Sequence, residues 1–216
     1  MFEPLPGYPA CPFRGTPPER DKAVLEHRTR VTLAPWQAAI PSDWLPAVMR
    51  GEAEPKIWLR RRDVLSVAEA AHTPVGAFQT YVAAAAWGSR PGREVGRRLL
   101  TFAGLTEDER VQIGTKLAAV TDTLVARGAE AGYEDLIHGD HHVSGIRTSF
   151  GTKYLYFAGY CRVTTKLRPL ILDKNTALAV TYLTGRTCAH NLNRPGSDGG
   201  SFYWIPTPAG SVRWAA

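Results

Sequence analysis

Two identical Gly-Thr-Lys triplets stand out in this chain, because the sequence contains only six lysines. They are Gly114–Lys116 and Gly151–Lys153, and the second lies in SFGTKYLYFAGY, from Ser149 to Tyr160. A lysine amine removed from water loses its proton more readily and becomes a nucleophile. We expect at most one triplet to carry chemistry. Lys153 is favoured because it leads an apolar helix, whereas Lys116 falls within a helix and is expected to be solvated.

A carboxylate follows Lys153 at a spacing that lets the two side chains converge. Asp173 ends the apolar run Pro169–Leu172, 20 residues after Lys153, and it precedes a predicted helix from Asn175. An amine and a carboxylate on either side of one cleft could combine nucleophilic attack with proton transfer. The alternative is that Lys153 is a surface helix residue and that Asp173 only caps a helix.

The residues before Lys153 favour an anion site. Ser149–Gly151 predicts a turn, and a helix is predicted from Thr152 to Tyr160. A glycine in a turn permits positive φ and close approach of a ligand to the backbone. The amides at a helix N-terminus carry partial positive charge and suit a phosphate group.

The elements that must position these residues are predicted to be helices. An apolar segment, 75–87, predicts a buried central helix, and further helices are predicted over 94–102, 106–126, 133–138 and 175–183. Residues 26–33 could form a short strand, but no sheet is predicted. We expect an all-α protein with an irregular Pro-rich arm (1–40), a helical domain (41–184) and a Gly/Pro/aromatic tail packing on that domain (185–216).

Composition narrows the functional classes. The net charge of +6 and the pI near 9.4 favour an anionic partner such as nucleic acid. No apolar run is long enough to span a membrane, and the N-terminus lacks a secretion-signal pattern, so a cytoplasmic, nucleoid-associated monomer is expected. The three cysteines lack metal-ligand spacing, which predicts reduced thiols and no metal site.

RTSFGTKYLYFAGY followed by RPLILDKNTAL resembles the helix-hairpin-helix DNA glycosylases, and specifically the lysine-bearing 8-oxoguanine DNA glycosylases. The resemblance is strong from Gly145 to Tyr182 and diffuse over the preceding helices. Three positions depart from the family pattern. Ser149 replaces the first hairpin glycine, Arg147-Thr148 replaces Leu-Pro, and Asn175 replaces a histidine after the aspartate.

The resemblance implies a covalent mechanism on duplex DNA that carries a modified base, with 8-oxoguanine the first candidate. The Lys153 amine would attack C1′ of a flipped-out nucleotide, and a Schiff base and β-elimination would follow. Asp173 would stabilise positive charge on the sugar and move protons. No cofactor is implied for the chemistry, although a monovalent cation is expected at the hairpin.

Further site residues are predicted around this pair. Residues expected to contact DNA are Arg147, Ser149, Phe150, Gly151, Thr152, His141 and His142. The base pocket is expected to draw on Phe78, Gln79, Tyr203 and Trp204. The basic clusters Arg60–Arg62 and Arg90, Arg93, Arg97 and Arg98 could contact phosphates or form solvated faces.

Two other functions remain open from the sequence. One is a non-catalytic helix-hairpin-helix protein that only binds DNA. The other is a metal-dependent hydrolase that uses the histidine-rich loop His138–His142.

Overall fold

The computed structural model describes residues 19, 21–51, 55–89, 95, 99, 102–160, 162–163, 169–173 and 176, and the backbone of 203–206 and 212–215. The described part is predominantly helical, as expected, and it includes two antiparallel sheets of two strands each. The helices are α1 Ala34–Ala39, α2 Arg61–Ala68, α3 Pro74–Gly88, α4 Glu107–Arg127, α5 Ala129–Ile137 and α6 Thr148–Gly159. The strands are β1 Arg28–Thr32, β2 Lys56–Arg60, β3 Tyr203–Pro206 and β4 Val212–Ala215. Asp21–Leu25 forms a π-helical turn and Ala47–Met49 a 3-10 turn.

Helix α3 is the centre of the core, as its apolar sequence predicted. Eleven of its 15 residues are buried. Its start is fixed by Thr73, whose hydroxyl accepts a hydrogen bond from the Gly76 amide at 3.1 Å, and by Pro74 in the first helical position. Helices α4 and α6 both pack against α3. Pro74 at the start of α3 lies against Gly114 of α4, and Gly88 at its end lies against Lys153 of α6.

Helix α4 begins and ends where the sequence predicted. Thr106 and Glu109 form a reciprocal capping box, and the acidic first turn lies at the positive end of the helix dipole. The helix ends at Gly128, whose φ of +92° suits glycine, and α5 follows at once. The short connection makes α4 and α5 antiparallel neighbours that together carry the loop before α6.

The start of α6 corrects the prediction for the hairpin. Thr148 to Gly151 are already helical, and the amides of Phe150 and Gly151 donate to the carbonyl of Arg147. The turn expected at Ser149–Gly151 lies six residues earlier, at Val143–Ile146, where Ile146 N donates to Val143 O and Gly145 has φ +85°. The sequence reading failed because it treated a glycine inside a helix as a turn glycine.

The antiparallel β1–β2 sheet corrects the prediction that the chain has no sheet. The strand expected within 26–33 is confirmed as β1, but its partner β2 was missed. Residues of the predicted N-terminal arm also enter the core, since Leu33, Trp36 and Ile40 are almost fully buried. Their burial depends on pairing with β2 and packing on α3, and such distant partners leave no local periodicity.

Several predictions fall outside the described residues. They include the three cysteines, most of the helices expected over 94–102 and 175–183, and the side chains of Tyr203 and Trp204, whose backbone lies in β3. None of the helices that the structure describes is long and apolar enough to cross a bilayer.

Candidate active site

Lys153 is buried in the first half of α6, with 5% of its surface exposed. Its Nζ donates to the carbonyl oxygen of Ser149 at 3.2 Å and contacts the Ser149 hydroxyl at 3.1 Å. The same nitrogen lies 4.8 Å from the centre of the Phe150 ring. The side chain therefore folds back along its own helix toward the first turn. The amine is held near the N-terminal end of α6, because it bonds to both Ser149 oxygens in the first turn. Ser149 itself is partly exposed.

Gly88, the last residue of α3, makes the space that Lys153 occupies. A Cβ at Gly88 would lie 2.6 Å from both Cδ and Cε of Lys153, well inside van der Waals contact. The aliphatic stem of the lysine thus packs directly on the backbone of α3. Nothing in the local sequence pattern around Gly88 signals this contact with Lys153, because the contact joins α3 to α6.

A hydrogen bond joins the neighbours of the two predicted catalytic residues. The Leu172 amide donates to Thr152 Oγ1 at 3.0 Å across 20 residues of chain. Thr152 precedes Lys153 and Leu172 precedes Asp173, so the segment that carries the carboxylate is fastened to the helix that carries the amine. Asp173 is partly exposed, and its Oδ1 accepts a hydrogen bond from the Thr176 amide at 2.9 Å. The capping role considered for Asp173 is therefore present.

The surroundings of the Lys153 amine act on its charge in opposite directions. Burial and the positive end of the α6 dipole disfavour an ammonium group. The Ser149 oxygens and the Phe150 ring face stabilise one. The next residue, Tyr154, has a different task. Burial raises the pKa of its phenol, which contacts Thr121 Oγ1 and donates to Leu117 O at 2.7 Å each. It fastens α6 to α4 as a neutral group.

Arg61, the first residue of α2, contacts the C-terminal half of α6. Its guanidinium lies 5.0 Å from the Trp87 ring centre and 5.3 Å from that of Tyr156, and it donates to the Tyr156 hydroxyl at 3.2 Å. Tyr156 follows Lys153 by three residues on α6. The sequence reading of Arg60–Arg62 as one basic cluster missed this difference. Arg60 and Arg62 instead pair with Glu26, and the arginines predicted over 90–98 lie outside the described residues.

Three of the predicted DNA-contacting residues are buried. Phe150 and Thr152 are 7% and 6% exposed, and Gly151 lies against α5, where an added Cβ would be 3.0 Å from Ile137 Cδ1. These residues pack α6 on α5 beside Lys153, and little of their side-chain surface is exposed to a duplex. Arg147, by contrast, is exposed, and Ser149 is partly exposed.

The histidine-rich loop is held by hydrogen bonds within the protein. His141 Nδ1 contacts both carboxylate oxygens of Asp135 at 2.9 Å, and Asp135 also accepts from Thr123 Oγ1 at 2.8 Å. Burial alone would raise the pKa of Asp135, but these hydrogen bonds outweigh it and hold the pKa below its usual value. His142 is exposed, and its carbonyl accepts from Lys116 Nζ at 3.0 Å. Among the described residues, no three His, Cys, Asp or Glu side chains form a metal-binding group.

Two predicted base-pocket residues have structural contacts instead. Phe78 has no exposed surface, and its ring packs edge-on against Trp44 and Phe102 with centres 5.1 and 5.5 Å apart. The Gln79 amide donates to the carbonyl of Asp43 at 2.8 Å, which ties α3 to the turn before the 3-10 helix. Both side chains make contacts within the fold, and their assignment to a base pocket stays a prediction.

The sequence matches one family model over residues 22–206 of the 216, and that family is described as "Putative 8-oxoguanine DNA glycosylase OGG-like protein". The chain belongs to this family. No curated protein and no solved structure matched the chain. Family membership establishes a relationship to DNA glycosylases and identifies DNA as the kind of substrate, in agreement with the basic charge of the chain. The match includes both Lys153 and Asp173.

Proposed function

We propose that this OGG-like protein is a bifunctional DNA glycosylase and AP lyase in which Lys153 is the nucleophile and Asp173 its acidic partner. The observation that carries the proposal is the hydrogen bond from Leu172 N to Thr152 Oγ1. It fastens the segment that ends in Asp173 to the turn of helix that begins with Lys153. Burial of Lys153 supports the same conclusion, since an amine removed from water is a better nucleophile.

In the proposed reaction, the lone pair of the neutral Lys153 amine attacks C1′ of a nucleotide extruded from the duplex. The glycosidic bond breaks, its electron pair leaves with the base, and the base takes up a proton. The nitrogen passes one proton to the departing base. The C1′–O4′ bond then breaks, O4′ takes up a proton from solvent, and a protonated C1′=N Schiff base remains. Removal of a C2′ proton then expels the 3′ phosphate, and water releases the opened sugar from Lys153.

Asp173 would act on the sugar rather than directly on the amine. An ion pair with Lys153 would stabilise the ammonium and oppose attack. A carboxylate near C1′ would instead stabilise positive charge as the base departs and could accept a proton. The bond between Asp173 Oδ1 and the Thr176 amide fixes the orientation of the carboxyl group, which suits this role.

The helix-hairpin-helix element of the proposal comprises α5, the loop 138–147 and α6. Gly145 supplies the left-handed turn residue before α6. The amides at the start of α6, beside exposed Arg147, are the groups we propose for phosphate contact. An oxidised purine such as 8-oxoguanine is the proposed lesion, and the monovalent cation expected at the hairpin stays a prediction.

Borohydride trapping tests the proposal. The wild-type chain is incubated with a duplex containing one 8-oxoguanine and with a duplex containing one abasic site, and borohydride is added to reduce any Schiff base. We expect a covalent adduct that falls at least about 1,000-fold in Lys153→Ala, because the nucleophile is lost. Lys116→Ala, from the other triplet, is the matched control and should trap like the wild type.

Two outcomes would count against the proposal. Equal trapping by Lys153→Ala and the wild type would exclude Lys153 as the nucleophile. Binding of both duplexes without any adduct would favour the non-catalytic DNA-binding alternative. Folding of each variant is checked by circular dichroism, since Lys153 is buried.

A further inference from the structure

The outer face of the two-stranded β1–β2 sheet is strongly basic, and the proposed chemistry does not use it. The register of the two strands places six side chains on one exposed face. Four of the six are cationic and none is acidic. Glu26 pairs with Arg60 at one end of this face. The six residues, called the basic sheet face below, are Arg28, Arg30, Thr32, Lys56, Trp58 and Arg60.

Trp58 lies at the centre of the basic sheet face and contacts two of its arginines. Half of its surface is exposed, which is unusual for a tryptophan in a folded domain. The guanidinium of Arg28 lies 4.4 Å from its ring centre and that of Arg30 lies 5.8 Å away. Stacking uses the flat faces of the guanidinium groups and leaves their N–H groups in the plane, where they match the oxygens of a phosphate. The ring thus pre-orders two arginines for anion binding.

We propose that the basic sheet face binds the sugar-phosphate backbone of duplex DNA next to the segment that enters the active site. The inference rests on the DNA-binding part of the proposed function and not on its chemistry. A polyanion matches four clustered cations, and family membership identifies DNA as that polyanion. The face would add affinity and orientation without reading sequence.

The chain connects the basic sheet face to the candidate active site. Strand β2 runs directly into α2, and the first residue of α2 is Arg61. Arg61 donates to the hydroxyl of Tyr156, three residues beyond Lys153 on α6. The β1–β2 sheet is therefore linked through Arg61 to the helix that carries the proposed nucleophile. From this link we infer that a duplex bound at α6 also contacts the sheet.

The salt dependence of binding tests the proposal. Binding of the full chain to an undamaged duplex is measured by fluorescence anisotropy at several salt concentrations. Arg28→Gln should weaken binding about threefold to tenfold at ~0.1 M salt and reduce the salt slope by about one. Arg127→Gln, which removes an exposed arginine at the end of α4, is the matched control and should change affinity less than about twofold. Trp58→Leu keeps every charge and should weaken binding by a few fold, because the arginines lose their platform.

The outcomes separate this proposal from the proposed chemistry. Equal weakening by Arg28→Gln and Arg127→Gln would overturn it, because only total charge would then matter. The same titrations are run with a single strand of the same sequence. If Trp58→Leu weakened single-strand binding and left duplex binding unchanged, the proposal would be overturned and a stacking surface for unpaired bases would be indicated. A wild-type chain that never traps would contradict the chemistry and leave the test of the basic sheet face intact.

Discussion

The two Gly-Thr-Lys triplets have the same three residues in helices of the same bundle, yet each glycine meets a different neighbour. Gly114 lets α4 cross the start of α3, since an added Cβ would lie 2.3 Å from the carbonyl oxygen of Pro74. Gly151 lets α6 approach α5, where the nearest atoms belong to side chains of Ile137 and Leu136. The first contact is with rigid backbone and the second with side chains that can adjust.

The threonines and lysines of the triplets differ in the same way. Thr115 bonds the Val111 carbonyl of its own helix and is exposed, whereas Thr152 is buried and accepts from the distant Leu172 amide. Lys116 reaches out to a loop carbonyl, whereas Lys153 is buried along its own helix. Identical tripeptides therefore acquire a bracing role or a proposed catalytic role from what faces them.

The largest effects expected beyond Lys153 itself come from alanine at Gly114, in the first triplet, and at Gly88, which contacts the lysine of the second. The first change should affect stability and the second should affect trapping. Gly114→Ala should lower the free energy of unfolding by about 2 kcal/mol, because the Pro74 backbone must move to relieve the overlap. Urea unfolding measures this change. The trapping rate per folded molecule should stay at the wild-type value, since Gly114 does not contact Lys153.

Gly88→Ala should have the converse effect. Its Cβ would displace the lysine stem, so trapping should slow about 100-fold through misplacement of the amine. The unfolding free energy should change by less than about 1 kcal/mol, because a side chain and not backbone gives way. Unchanged trapping in Gly88→Ala would show that the position of the Lys153 stem in this structure is not the reactive one.

The threonines sharpen the comparison at smaller magnitude. Thr152→Val should lower the free energy of unfolding by about 1 kcal/mol, since the buried Leu172 amide loses its acceptor. Trapping should also slow, because the segment carrying Asp173 is released. Thr115→Val should change stability by less than about 0.5 kcal/mol. Urea unfolding compares the two. Thr152→Ser should restore most of both losses, and a failure of that rescue would implicate packing and not the hydrogen bond.

The smallest effect concerns the loop that Lys116 braces. The pKa of Asp135 is lowered in the folded state, so its contribution to stability is present above about pH 4, the unfolded value, and is lost as pH falls through the folded pKa. Asp135→Asn should therefore destabilise the protein at pH 6, by less than Thr152→Val does. The difference from the wild type should shrink toward pH 3 in urea unfolding. A constant difference over this range would show that the carboxylate charge is not involved.

Local signals in the sequence were enough for the main helices. The all-round apolar character of 75–87 and the Thr106–Glu109 capping box each act within one element, so α3 and α4 lie where predicted. Strand β2 was missed because its apolar alternation spans only five residues and its pairing with β1 depends on a partner 28 residues away. The turn before α6 was misplaced because Gly151 serves interhelical packing, which one sequence does not distinguish from a turn.

The candidate site follows the same division. Lys153 and Asp173 were singled out by residue type, spacing and resemblance. The bond between Thr152 and Leu172 joins their neighbours and supports the proposal that the two side chains converge. Gly88 and Arg61 were not recognised, because their contacts with Lys153 and Tyr156 join α3 and α2 to α6. Contacts between elements that are distant in sequence have no periodicity to read.

Identifying the amine that carries the sugar tests the central claim most directly. Wild-type protein trapped with borohydride on an abasic-site duplex is digested, and the modified peptide is sequenced by mass spectrometry. We predict that the sugar remnant is attached to Lys153 alone. Attachment to Lys116, to another lysine or to the amino terminus would contradict the assignment of Lys153 as the nucleophile.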